Sequence, residues 1–183
     1  IYSDESLIRD LSGISAKYGQ SNPKDNSATI CDNVETRILR ATLQGAVDLK
    51  IRGNFGMTQR TVAEAALVLN TLPESREWLE WMLRPGVNTA CPRPGGNVLR
   101  QLAEDIDRDG NNNEGAPGYI SLAVNQLIAV ADLLRDNEIC PQADLYKNPK
   151  FTAMFTSLVP WTCGNYYTAH IGDSGSTAGT GIA

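Results

Sequence analysis

Apolar residues recur along this chain at helical spacing, and polar breaks separate the runs. Leu7, Ile8, Leu11 and Ile14 mark a first helix that Ser3 can cap, followed by a polar loop from Gln20 to Ser27. Val34, Ile38, Leu39, Leu43, Val47 and Ile51 predict a long amphipathic helix. Gly53-Asn54-Phe55-Gly56 breaks it, and a helix restarts at Met57 or Thr58. That next helix is apolar on almost every side, through Val62, Ala63, Ala65, Ala66, Leu67, Val68 and Leu69, until Pro73 ends it. Its many alanines let neighbouring helices approach closely.

A short helix is expected from Glu74 to Leu83, a loop from Pro85 to Gly96, and a helix from Val98 to Ile106 capped by Asn97. Asp107 to Gly118 is polar and Gly-rich. Tyr119 to Leu134 is a second strongly apolar helix, and Asn148-Pro149 opens another through Met154 and Leu158. Sustained alternation of the strand type is nearly absent. The pattern predicts an all-α chain, one helical domain over residues 1–183, built of antiparallel helical hairpins. Two helices apolar on most faces need an inner position shielded by others, which suits a layered array better than a four-helix bundle.

Composition narrows the partners. The formal net charge is −5, which argues against a general nucleic-acid binder. No apolar run approaches the roughly 20 residues that cross a bilayer, so no membrane partner is expected. The ends carry neither an initiator Met nor a leader pattern, and the last residues are rich in Gly, Ser and Thr. The expectation is a piece of a larger protein. Cys31, Cys91, Cys140 and Cys163 leave two readings open, one or two disulfides in any of three pairings or four buried thiols. One histidine and no CxxC pair argue against structural zinc.

Candidate chemistry gathers at three polar breaks. In Arg52-Gly53-Asn54-Phe55-Gly56-Met57-Thr58-Gln59, Asn54 and Gln59 can donate amide hydrogen bonds beside a helix start, and a cap and turn would use the same residues. Asp105, Asp107 and Asp109 followed by Gly110 match the opening of an EF-hand loop, although Ala116 stands at the closing acid's position and Glu114 comes early. Calcium is the cation this half-pattern would take. Further on, Glu114 and Tyr119 flank an irregular backbone made by Gly115, Pro117 and Gly118. The third break, Asn165 to Thr177, holds Tyr166, Tyr167, Asp173 and the lone His170. Gly172-Asp173-Ser174-Gly175 also spells a motif of chymotrypsin-like proteases, but an all-α chain cannot supply that fold.

These three segments, in this order on an all-α chain, resemble the heparinase II/III-like polysaccharide lyases over roughly Arg52 to Gly179. The matching motifs are Gly53-Asn54 and the Asp109 to Tyr119 stretch, with Tyr167 to Gly175 similar to a cleft loop of bacterial relatives. Phe55 stands where many members have His or Trp. The resemblance implies an incomplete (α/α) toroid, completed by the rest of the same enzyme or by another chain. It implies β-elimination on an acidic, uronic-acid-containing polysaccharide outside the cell or in the periplasm.

That chemistry needs neutral donors or a cation for the substrate carboxylate, and groups that move a proton. Asn54 and Gln59 suit the first task, Tyr119 and His170 the second. Arg52 and Arg108 could hold an anionic sugar, and Trp161, Tyr166 or Tyr167 could contact its ring. No cofactor is required. A toroid glycoside hydrolase using Glu114 with Asp105, Asp109 or Asp173 is the alternative enzyme. A non-catalytic, calcium-dependent carbohydrate-binding or scaffold module is the alternative outside catalysis.

Overall fold

The computed structural model describes residues 4–51, 53–54, 56–85, 96–164 and 167–174. The chain is mostly helical, as its periodicity predicts. α1 spans Glu5–Lys17, and Asp4 caps it, its carboxylate accepting from the amides of Ser6 and Leu7 at 2.9 and 3.1 Å. Ser3 lies outside the described residues. α2 (Ser27–Asn33) opens with a reciprocal capping box between Asn26 and Thr29. It runs on through a π-helical stretch, Val34–Arg40, into α3 (Ala41–Val47). The expected single long helix is thus one helical rod with a widened middle. Arg40, at the end of the wide stretch, reaches Glu74 with Nε and Nη2 at 2.9 and 3.0 Å, tying the rod to α5 (Glu74–Leu83).

The rod ends at Val47 and does not continue to Ile51. Leu49 takes a φ of +57°, and the amides of Lys50 and Ile51 both donate to the Gly45 carbonyl at 2.9 and 3.0 Å. The chain folds back, laying Ile51 over Gly45, where a Cβ would sit 2.9 Å from Ile51 Cδ1.

Two central helices follow the expected pattern. α4 (Met57–Leu69) packs against α3, α5 and α7 (Pro117–Leu134). Val62, Ala63, Ala66 and Leu69 of α4 meet Ala123, Leu127, Val130, Ala131 and Leu134 of α7 in one core, joined by Leu79 and Met82 of α5. Small side chains permit the closeness. Gly56, just before α4, has a φ of +87°, and a Cβ there would lie 2.6 Å from Gln126 Cβ on α7. Only glycine meets both demands.

α7, with a mean hydropathy of 1.3 over 18 residues, is long and apolar enough by length and composition to cross a membrane. The expectation that no run approaches a membrane span therefore needs this qualification. In the fold its core face is buried from Ile120 to Leu134.

α6 (Val98–Glu104) and α8 (Pro149–Met154) are short, because the chain bends at Asp105 and at Phe155. Short 3₁₀ turns, Pro141–Ala143, Leu145–Lys147 and Val159–Trp161, fill the connections. The described strands are one small antiparallel hairpin, β1 (Thr162–Cys163) and β2 (Tyr167–Thr168), pairing Thr162 with Thr168 and Cys163 with Tyr167. Cys31, Cys140 and Cys163 are free thiols, and Cys91 lies outside the described residues.

Candidate active site

The N-terminal end of α7 is where the polar breaks converge. Pro117 occupies the first turn, where a missing N–H costs nothing, and the Ala116 carbonyl accepts from the Ile120 amide at 2.9 Å. Tyr119 is thereby fixed in that first turn.

The loop before it is stitched to itself. The Asn113 amide donates to the Asp105 carbonyl at 3.0 Å, and the Asp107 amide to the Asn111 carbonyl at 2.8 Å. Buried Asn112 ties the loop to the helix: its Oδ1 accepts from the Glu114 amide at 3.1 Å and its Nδ2 donates to the Tyr119 carbonyl at 3.4 Å. Gly110, at a φ of +87°, presses on α8 so closely that a Cβ would lie 2.3 Å from the Ala153 oxygen. Lys150 of α8 donates to the carbonyls of Ala103 and Ile106, holding the same junction from below.

Asn54, Asn112, Glu114, Tyr119, Leu122 and Ala123 line one narrow cleft of about 10 Å³, room for a single water. Asn54 belongs to the break before α4, where its carbonyl accepts from the Met57 amide at 3.0 Å. The cleft therefore joins side chains from two breaks that are distant in sequence. The segment after β2 lies against the same helix end. A Cβ on Gly172 would meet Ala116 Cβ at 3.4 Å, and one on Gly118 would meet Ser174 Cα at 3.6 Å. Between those contacts the Tyr119 hydroxyl donates to Asp173 Oδ2 at 3.3 Å. The negative charge of Asp173 pushes the phenol above its ordinary range, with its hydrogen bond, partial burial and the charge of Glu114 adding to the effect. Tyr119 is thus a neutral phenol across the neutral pH range.

Other sequence-selected residues lie elsewhere. Gln59 is buried between α4 and α6, donating to Gln101 Oε1 at 2.9 Å and the Gly96 carbonyl at 3.2 Å. It braces two helices and does not line the cleft. Trp161 is half-buried in the turn before β1, while Tyr167 and His170 are exposed on and just after β2. None of the three lines the cleft. Arg52 and Tyr166 lie outside the described residues.

Arg108 sits with Asp107 and Asp109 around an open surface recess of about 330 Å³. The expected convergence of Asp105, Asp107 and Asp109 is not formed: no three His, Cys, Asp or Glu side chains gather as a metal-ligand set among the described residues. Asparagine amides meet two of these carboxylates instead, Asn113 on Asp105 at 3.1 Å and Asn111 on Asp109 at 2.9 Å.

Asn112, Leu122 and Ala123 are cleft residues that the sequence reading did not select. Leu122 and Ala123 follow Tyr119 at the spacing that shares a helix face, so periodicity could have found them. Asn112 carries no such mark within its run of three asparagines.

No protein-family model, no curated protein and no solved structure matches the chain.

Proposed function

We propose that the chain is part of an α/α-toroid polysaccharide lyase that cleaves an acidic, uronic-acid-containing polysaccharide by β-elimination, outside the cell or in the periplasm. One observation carries the reading: Asn54 and Tyr119, each at the start of a central helix, line the same cleft. In this reading the helical pairs are one part of a toroid that the rest of the enzyme, or another chain, completes.

The residue types fit the chemistry. Elimination removes the proton α to the uronate carboxylate and expels the glycosidic oxygen from the β carbon. Negative charge builds on the carboxylate as the C–H bond breaks, and the Asn54 amide is the neutral donor that stabilises it. Tyr119 enters as a neutral phenol, takes the α proton as its own passes to its hydrogen-bond acceptor Asp173, and then supplies a proton for the leaving oxygen. Leu122 and Ala123 give the cleft an apolar wall.

Product absorbance tests the reaction, because elimination creates a C=C bond conjugated to the carboxylate. In the intact enzyme, Tyr119→Phe should lower turnover by at least ~10²-fold with little change in substrate binding. Asn54→Ala should also lower kcat, since its contact strengthens in the transition state. Near-wild-type turnover in Tyr119→Phe would sink this assignment.

A second reading, glycoside hydrolysis, is favoured by the two carboxylates, Glu114 and Asp173, whose charges both act on the Tyr119 hydroxyl. Its signature is a new reducing end without the new absorbance.

A further inference from the structure

Asp173 lies on a segment far in sequence from either helix start, and it meets the one hydroxyl that the proposed chemistry needs. We propose that Asp173 is the positioning residue of Tyr119: it takes the hydroxyl's hydrogen bond and receives the phenolic proton when Tyr119 accepts one from the substrate. This inference rests on the lyase reading of the cleft.

The geometry favours a set orientation. Gly172 and Ser174 bracket Asp173, resting beside Ala116 and Gly118, so the carboxylate is held against the first turn of α7 from both sides. The turn is closed by the Ser174 hydroxyl, which donates to the Ile171 carbonyl at 2.7 Å. A phenolic O–H prefers the ring plane, so committing it to Asp173 leaves a lone pair of the oxygen available to a substrate C–H.

The proton path balances. The substrate C–H bond breaks and its electron pair is delocalised toward the carboxylate. The proton joins the Tyr119 oxygen while the original phenolic proton moves to Asp173. As the C–O bond breaks, its electron pair leaves with the glycosidic oxygen. That oxygen takes a proton from Tyr119, and Asp173 returns its own to the phenol. Both side chains end as they began. Among the described residues, the charged groups acting on the hydroxyl are Asp173 from the segment after β2 and Glu114 from the loop before α7, while Asn54, just before α4, is neutral.

Ultraviolet titration of the phenols tests the pairing without any substrate, using the wild-type minus Tyr119→Phe difference to isolate Tyr119. Asp173→Asn should move that titration to lower pH, and further than Glu114→Gln does. An Asp173→Asn effect no larger than that of Glu114→Gln overturns the proposal. With a uronate polymer that the wild type cleaves, Asp173→Asn should lower kcat on the order of 10²-fold with KM little changed, and Asp173→Glu should restore part of it. Unchanged kcat in Asp173→Asn overturns the proposal as well. If the wild type cleaves no uronate polymer by elimination, the lyase reading fails, whereas the phenol titration still decides whether Asp173 holds Tyr119.

Discussion

The two breaks that feed the cleft hold their side chains by opposite means. The break at 53–56 is short, and Gly56 fixes it by steric closeness, allowing α4 to meet α7 with no Cβ between them. The Asp105 to Gly118 break is long, and hydrogen bonds fix it, through Asn112, Asn113 and the Asp107 amide, with Gly110 docked on α8. A short break inherits its precision from the helices it joins. A long one must build its own.

That contrast can be broken at its strongest points first. In Gly110→Ala the new methyl would fall within 2.3–2.6 Å of three backbone atoms of Ala153 and Met154, which no rotamer change relieves. Together with the positive φ, the expected loss is roughly 3 kcal/mol of unfolding free energy, read by urea denaturation. Gly56→Ala should lose less, about 2 kcal/mol, because its closest contact is a side-chain carbon and its backbone contacts are 3.4 Å away. Equal losses would erase the distinction between backbone and side-chain closeness.

Asn112→Ala should cost about 1–2 kcal/mol by removing the acceptor of the Glu114 amide and the side-chain donor to the Tyr119 carbonyl. It should also lower turnover, since it loosens Glu114 and Tyr119 together. A loss of stability with turnover intact would show that the loop does not set the site. Asp107→Asn is expected to change stability by no more than about 0.5 kcal/mol, because the side chain is exposed. A larger loss in calcium-containing buffer than in chelator would reveal an ion on that turn.

Local signals read well and long-range ones did not. The boundaries of α5, the restart at Met57 and the buried character of α4 and α7 follow from Pro73, Gly56 and the apolar runs. Asn54, Glu114 and Tyr119 were legible because each sits beside a glycine-marked break that opens a central helix. Gln59 was misplaced because, unlike Asn54 in the break, it lies on α4 itself, on a side that α6 covers. The acidic run suggested a cation, yet its glycine serves a turn against α8, and its asparagines turn two of its carboxylates to local hydrogen bonds. The reach of Asp173 to Tyr119 depends on how the β1–β2 hairpin returns the chain, which no spacing encodes.

The stitched loop also sets a clock. Its amides at Asp107, Gly110 and Asn113 are held by carbonyls within the loop at 2.8, 3.1 and 3.0 Å, and Gly110 is pinned to α8. Those hydrogens exchange with solvent when these bonds open, so their exchange rate counts the openings of the loop that carries Glu114. Exchange of Met57, held by the Asn54 carbonyl beyond a break that α7 clamps, counts the partings of α4 from α7 instead. Two sets of amides thus time two separate ways in which one cleft can come apart.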